Sequence, residues 1–224
     1  MKYNHEIHHR RSIRLKGYDY TQPGAYFVTF CSYQRMHVFG DVVNGEMVLN
    51  DAGKIAQQEW FQTAELRPYV KLYDDEFVIM PNHGHGVIWI EENVGALRGN
   101  VQLRDGQNRA EQRSAPTKSS PTKTVAPGSL GAIVRAYKSA VTYAVNAVEN
   151  QRGAILWQRN YYEHIIRNDH ELNNIRWYIV NNPLNWQLDR DNAQNLRKLS
   201  PPEKAEEYVK DVEDMVLKLK VDKQ

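Results

Sequence analysis

The order in which two apolar rhythms follow one another does most to restrict what this chain can fold into. Residues 25–33 (AYFVTFCSY) are dense in β-branched and aromatic side chains and follow the turn pair Pro23-Gly24, which predicts a central strand. Asn50-Asp51 can cap a helix from 52 to about 65, where Ile55, Trp60 and Phe61 supply apolar positions and Pro68 lies just beyond the end. A second strand is expected around 70–80, interrupted by Asp74-Asp75-Glu76, and Pro81-Asn82 divides it from a third at 83–91 (HGHGVIWIE), so that the two form a hairpin. Ser129 caps a helix running to about 149, with Leu130, Ile133, Val134, Tyr137, Val141 and Val145 at helical spacing. A strand at 161–166 and a helix from 170 to 182, capped by Asp169 and stopped by Pro183, complete the series. Strand, helix, strand, strand, helix, strand is the ferredoxin-like split βαβ order. The expected fold is therefore α+β: an antiparallel sheet with helices on one face, plus an added C-terminal helix.

The remaining segments lack this order. Residues 1–20 form a basic arm with Lys2, Arg10, Arg11, Arg14 and Lys16 against Glu6 and Asp19, a composition suited to phosphates or simply to solvent. His5, His8 and His9 read as a solvated tract. From about 93 to 128 periodicity vanishes into Ser, Thr, Pro and Lys, the composition of a mobile loop. Residues 191–224 end in a charged helical extension with Ala205, Tyr208, Val212, Met215 and Leu219 along one stripe. A net charge of only +2 does not by itself announce a nucleic-acid partner. Cys31, the single cysteine, excludes an internal disulfide and reads as a buried thiol. No apolar run is long enough to span a bilayer and the start lacks a signal-peptide core, so a cytoplasmic protein is expected.

Chemistry concentrates in two places. Successive side chains of a strand point to opposite faces, so His83 and His85 project together while Gly84 points away. Two adjacent imidazoles are a metal-ligand geometry that still needs a third ligand and a purpose. The helix segment IRWYIVNNP offers both, because Tyr178 and Asn182 lie one turn apart on a shared face. Asn182 can give an amide oxygen to the ion, and Tyr178 can give a phenol to whatever the ion polarises. A site with open positions suits Mg2+ or Mn2+ acting as a Lewis acid.

These motifs carry a resemblance. VIMPNHGHGVIWI resembles the paired-histidine signature of HUH single-strand nucleases, and IRWYIVNNP resembles the tyrosine helix of the REP-associated tyrosine transposases, relatives of the single-tyrosine insertion-sequence transposases. RRSIRLKGYDYTQPGAYFVTFCSYQR, LGAIVRAYKSAVT and LWQRNYYEHIIR are similar to the same family, so the likeness covers roughly residues 10–188. It implies an HUH domain over about 21–190, with His83, His85 and Asn182 as metal ligands and Tyr178 as nucleophile. It also implies cleavage through a 5′-phosphotyrosine that leaves a free 3′-hydroxyl, followed by rejoining. The implied partner is single-stranded or hairpin DNA formed by repetitive extragenic palindromes, read with a short guide tetranucleotide, and the implied setting is the nucleoid. Monomers and homodimers both occur among such enzymes. On charge alone, Arg10, Arg11, Arg14, Arg135 and Lys138 are candidates for phosphate contacts.

The chain departs from the family at Gly84, where a bulky apolar residue is usual. A glycine there is expected to weaken the strand and leave a gap behind the site. It is the one feature favouring a non-catalytic hairpin-binding module. A relaxase or replication-initiator nuclease would share the histidines and the tyrosine, but such proteins are usually larger.

Overall fold

The structure is a computed structural model, and it describes residues 14, 15, 17–92, 125–189, 191 and 192. Arg10, Arg11, most of the basic arm, the loop from 93 to 124 and the extension from 193 onward lie outside the described residues.

The strands are β1 (Gly24–Cys31), β2 (Gly40–Val43), β3 (Glu46–Leu49), β4 (Val70–Lys71), β5 (Phe77–Met80), β6 (His83–Ile90) and β7 (Tyr162–Ile166). The helices are α1 (Asp51–Glu65), α2 (Leu130–Val148) and α3 (Asp169–Asn181). The main sheet runs β4-β6-β1-β7, with β5 also paired to β6, and every pairing is antiparallel. That is the expected split βαβ arrangement.

Alternation assigns the two faces. Tyr26, Val28, Phe30, Ile88 and Ile90 join the larger core beneath α1 and α2, with Trp60 and Tyr137 among its buried rings. Ala25, Phe27 and Val87 face the other way and pack against Leu172, Ile175, Tyr178 and Ile179 of α3. The added helix thus lies across the sheet from the other two. In register, His85 stands opposite Thr29 and His83 opposite Cys31, which places both histidines on the α3 side.

Four local features differ from expectation. Residues 40–49 form a β2–β3 hairpin turned by Asn44 and Gly45, both with positive φ (54° and 80°), the conformation an Asn-Gly pair supplies most cheaply. Its flanks are half exposed, so no apolar rhythm announces it. The acidic triplet splits the second strand into β4 and β5 through a 3-10 turn. Glu76 turns inward there: Trp89 Nε1 donates to it at 2.7 Å, and Arg176 donates from Nε at 2.9 Å and from Nη2 at 2.6 Å. What reads as an interruption ties α3 to the sheet. Finally, α3 is capped by Asn168, not Asp169, since the Asn168 Oδ1 accepts from Glu171 N at 2.9 Å.

Gly84 leaves no gap. A Cβ built on it would lie 2.5 and 2.6 Å from two carbons of the Phe30 ring, and one on Gly86 would lie 2.7 Å from Trp60 Cη2. Two aromatic rings pack on bare backbone behind the histidines, filling the space a larger residue would take. Phe30 is itself wedged against Trp60, Tyr137 and Trp157, so its ring has nowhere to swing. Gly84→Val is expected to destabilise the fold by about 2 kcal/mol or more through overpacking. A urea-denaturation midpoint equal to the parent's would show that the layer can give.

Candidate metal and tyrosine centre

The turn before β6 sets the state of the first histidine. Asn82 is buried and its Nδ2 donates to the carbonyl oxygens of Asp191 at 2.7 Å and Arg35 at 3.2 Å. Its Oδ1, which can only accept, lies 2.8 Å from His83 Nδ1 and therefore receives the proton there. The tautomer is fixed, and His83 Nε2 presents a lone pair. On the second histidine, Nδ1 lies 2.8 Å from Thr29 Oγ1 and Nε2 lies 3.1 Å from the Tyr178 hydroxyl. With the phenol donating to Nε2 and Nδ1–H donating to Thr29, both ring nitrogens are satisfied.

Three further side chains close over the pair. Asn182 Nδ2 donates to Asp189 Oδ2 at 3.3 Å, and that same carboxylate oxygen lies 3.9 Å from His83 Nε2. Trp186 packs its ring 5.9 Å from that of His83. Both imidazoles are 0% exposed and Tyr178 is 4% exposed. Two buried polar atoms, His83 Nε2 and Asn182 Oδ1, have no hydrogen-bond partner among the described residues. Such atoms are uncommon in a native interior and call for an occupant. The ligand atoms of His83, His85 and Asp189 all lie within 4.8 Å of one another, a group that can hold a metal ion.

Electrostatics agrees with that use. Burial, then the Arg35 charge and His37, push the His83 imidazole down to about 3. Burial and His83 push His85 well below its ordinary value, with Asp189 pulling the other way. Both rings are neutral at pH 7, as ligands must be. An unfolded histidine takes a proton near pH 6.5, whereas folded His83 refuses it until about 3. Between those values the unfolded chain binds more protons, so stability falls as pH falls through that window. The urea midpoint of the metal-free protein is expected to drop steadily from pH 7 to pH 4, and less steeply in His83→Gln. A flat profile would contradict the burial of the pair.

The structure therefore brings together His83, His85, Tyr178 and Asn182, the four residues that the sequence singled out. It adds Asp189, Asn82 and Thr29, which sequence reasoning missed. Asp189 lies past the helix in QLDRDN, where no periodicity marks it, while Thr29 was legible only as the β1 position whose register happens to meet His85.

The described phosphate candidates lie elsewhere. Arg14 donates to the Tyr161 hydroxyl at 2.9 Å, approaches Glu163 at 3.6 Å and stacks over the rings of Tyr20 and Tyr161. Lys138 Nζ donates to the carbonyls of Gln158 at 2.6 Å and Asn160 at 2.9 Å, and burial lowers its pKa to about 8. Arg135 is exposed on α2, in the layer across the sheet from the histidines.

Fold and site together define a ferredoxin-like α+β protein with a paired-histidine and tyrosine centre. No family model matches the chain. An uncharacterized protein of Haemophilus influenzae is 43% identical over 190 residues, covering 84% of this chain and 96% of that one, and the chain belongs to the same family as that protein. Among solved structures, a REP-associated tyrosine transposase bound to a REP hairpin matches with a TM-score of 0.48 and 16% identity, over 77% of this chain and 74% of that one. Among the described residues, no helix is long and apolar enough to cross a membrane.

Proposed function

We propose that this chain is a metal-dependent transposase of single-stranded DNA that cuts and rejoins strands at palindromic hairpins through a tyrosine nucleophile. The observation that carries this reading is the 3.1 Å approach of the Tyr178 hydroxyl to His85 Nε2 inside a site that also holds two unpartnered ligand atoms. A tyrosine that merely packed its helix on the sheet would not need its phenol set against one of two paired, buried imidazoles. The family likeness of the sequence motifs supports the same reading.

His83, His85 and Asn182 would hold a divalent ion, Mg2+ or Mn2+, and the orphaned Nε2 and Oδ1 atoms fit that role. Bound there, the ion supplies Lewis acidity to the oxygens of the scissile phosphate. The chain's own residues do the rest. Asn82 holds the His83 proton at Nδ1, Thr29 orients His85, and the contacts of Glu76 with Arg176 and Trp89 fix the rotation of α3 so that Tyr178 faces the pair. Tyr178 Oη then joins phosphorus while the bond from phosphorus to the 3′ oxygen breaks. The phenol loses its proton and the departing oxygen gains one. A phosphodiester is exchanged for a 5′-phosphotyrosine, so the free 3′-hydroxyl can reverse the step without nucleotide hydrolysis. A strand entering this site must displace the segment around Asp189, because the two imidazoles have no exposed surface.

Arg10, Arg11, Arg14, Arg135 and Lys138 are proposed for phosphate contacts, Arg14 and Lys138 in exchange for the contacts they make to Tyr161 and to the carbonyls of Gln158 and Asn160. Incubating the protein with a hairpin-bearing single strand labelled at either end tests the polarity. In Mn2+ or Mg2+, the 5′-labelled fragment should run free and the 3′-labelled fragment should be retained on protein in a denaturing gel. Two free fragments would indicate hydrolysis and refute the tyrosine mechanism.

A further inference from the structure

The sequence supplies Asn182 as the oxygen ligand from α3, but it leaves the charge of the site unspecified. Two neutral imidazoles and a neutral amide would bind a divalent ion weakly, since hard cations favour anionic oxygen. The structure places a carboxylate where that charge is missing. Asp189 is 1% exposed, with one oxygen 3.9 Å from His83 Nε2 and 3.3 Å from Asn182 Nδ2. Its other oxygen accepts from Asp191 N at 2.6 Å, which aims the first oxygen at the histidines.

The segment that carries Asp189 is held by residues that touch no ligand atom. Beyond α3 a 3-10 turn, Pro183–Leu188, carries the chain back toward the start of β6. Asp191 pairs with the Arg35 guanidinium, and the Asp191 carbonyl accepts from Asn82 Nδ2 at 2.7 Å. Asn82 thereby orients two things at once, the His83 tautomer and the backbone two residues beyond Asp189.

Resting on the metal reading above, we infer that Asp189 is an anionic ligand of the metal centre, and that the Arg35–Asp191 pair is a latch positioning it. The ligand set is then the two histidines, the Asn182 amide oxygen and one carboxylate. Affinity for the ion depends on a strap outside both motifs that mark the site in the sequence.

The test is Mn2+ binding to the full chain, measured as free Mn2+ by electron paramagnetic resonance and as the Mn2+-induced rise in Tm. Asp189→Asn is expected to weaken binding by about tenfold or more and to lose most of the Tm rise, while unfolding in chelator at the parent's temperature or above. Arg35→Met, which removes the latch and no ligand, should weaken binding by about tenfold or more, as loss of a residue that orients a ligand does. Arg35→Met also keeps the inference testable if Asp189→Asn does not fold. Parent-like affinity in Asp189→Asn, with binding lost in His83→Ala, overturns the inference and leaves the paired-histidine reading standing. Parent-like affinity in Arg35→Met overturns the latch. A parent protein that binds no Mn2+ overturns both readings together.

Discussion

Tyr178→Phe is expected to abolish the covalent protein–DNA product and to reduce strand cleavage by roughly three orders of magnitude or more, as removal of a nucleophile does. Hairpin binding should persist within about threefold. The substitution removes one oxygen from a packed helix and costs the hydrogen bond to His85 Nε2, worth about 1 kcal/mol in stability, so the variant should fold. Gel-based cleavage assays and binding isotherms on the same hairpin separate the two effects. Cleavage by Tyr178→Phe at the parent's rate would mean that another group attacks. Tyr161 packs against the larger core and the exposed Tyr143 lies on α2, both across the sheet from the histidines, so neither can substitute.

His83→Ala is the second large effect. Removing this ring deletes the unpartnered Nε2 and leaves the Asn82 oxygen without its donor, so cleavage in Mg2+ or Mn2+ should fall to background. A buried acceptor left unsatisfied costs about 1–3 kcal/mol. The variant should still fold and bind hairpin DNA, since the ring lies beneath the strap and faces no solvent. Titration with labelled hairpin, alongside cleavage at saturating protein, distinguishes the cases. Loss of binding in proportion to loss of cleavage would assign the histidine pair a folding role.

The order of strands and helices was legible because apolar period changes sharply between segments such as 25–33 and 52–65. The histidine pair was legible because a strand period of two puts alternate residues on one face, and Tyr178 with Asn182 because a helix repeats near four. Each is local geometry. Asp189 was not legible, since its place depends on how a 3-10 turn past α3 folds back to meet Arg35, a contact between residues far apart in sequence. The reading of Gly84 failed for a related reason. A glycine between two ligands looks like a weakness along the strand, and only the layer behind shows that the Phe30 ring already occupies the space. Charge alone does not say what else a basic side chain meets: Arg14 approaches the buried Glu163 carboxylate and Lys138 donates to two carbonyls.

The most direct measurement locates the covalent bond. Tryptic cleavage after Arg176 and Arg190 releases residues 177–190, a peptide in which Tyr178 is the only tyrosine. After reaction with a hairpin-bearing single strand in Mn2+ and digestion of the DNA to short remnants, mass spectrometry of that peptide should show a 5′-linked nucleotide on Tyr178. The modification should be absent in chelator. Cleaved DNA with this peptide unmodified, or a nucleotide on a different tyrosine, would contradict the assignment of Tyr178 as the nucleophile.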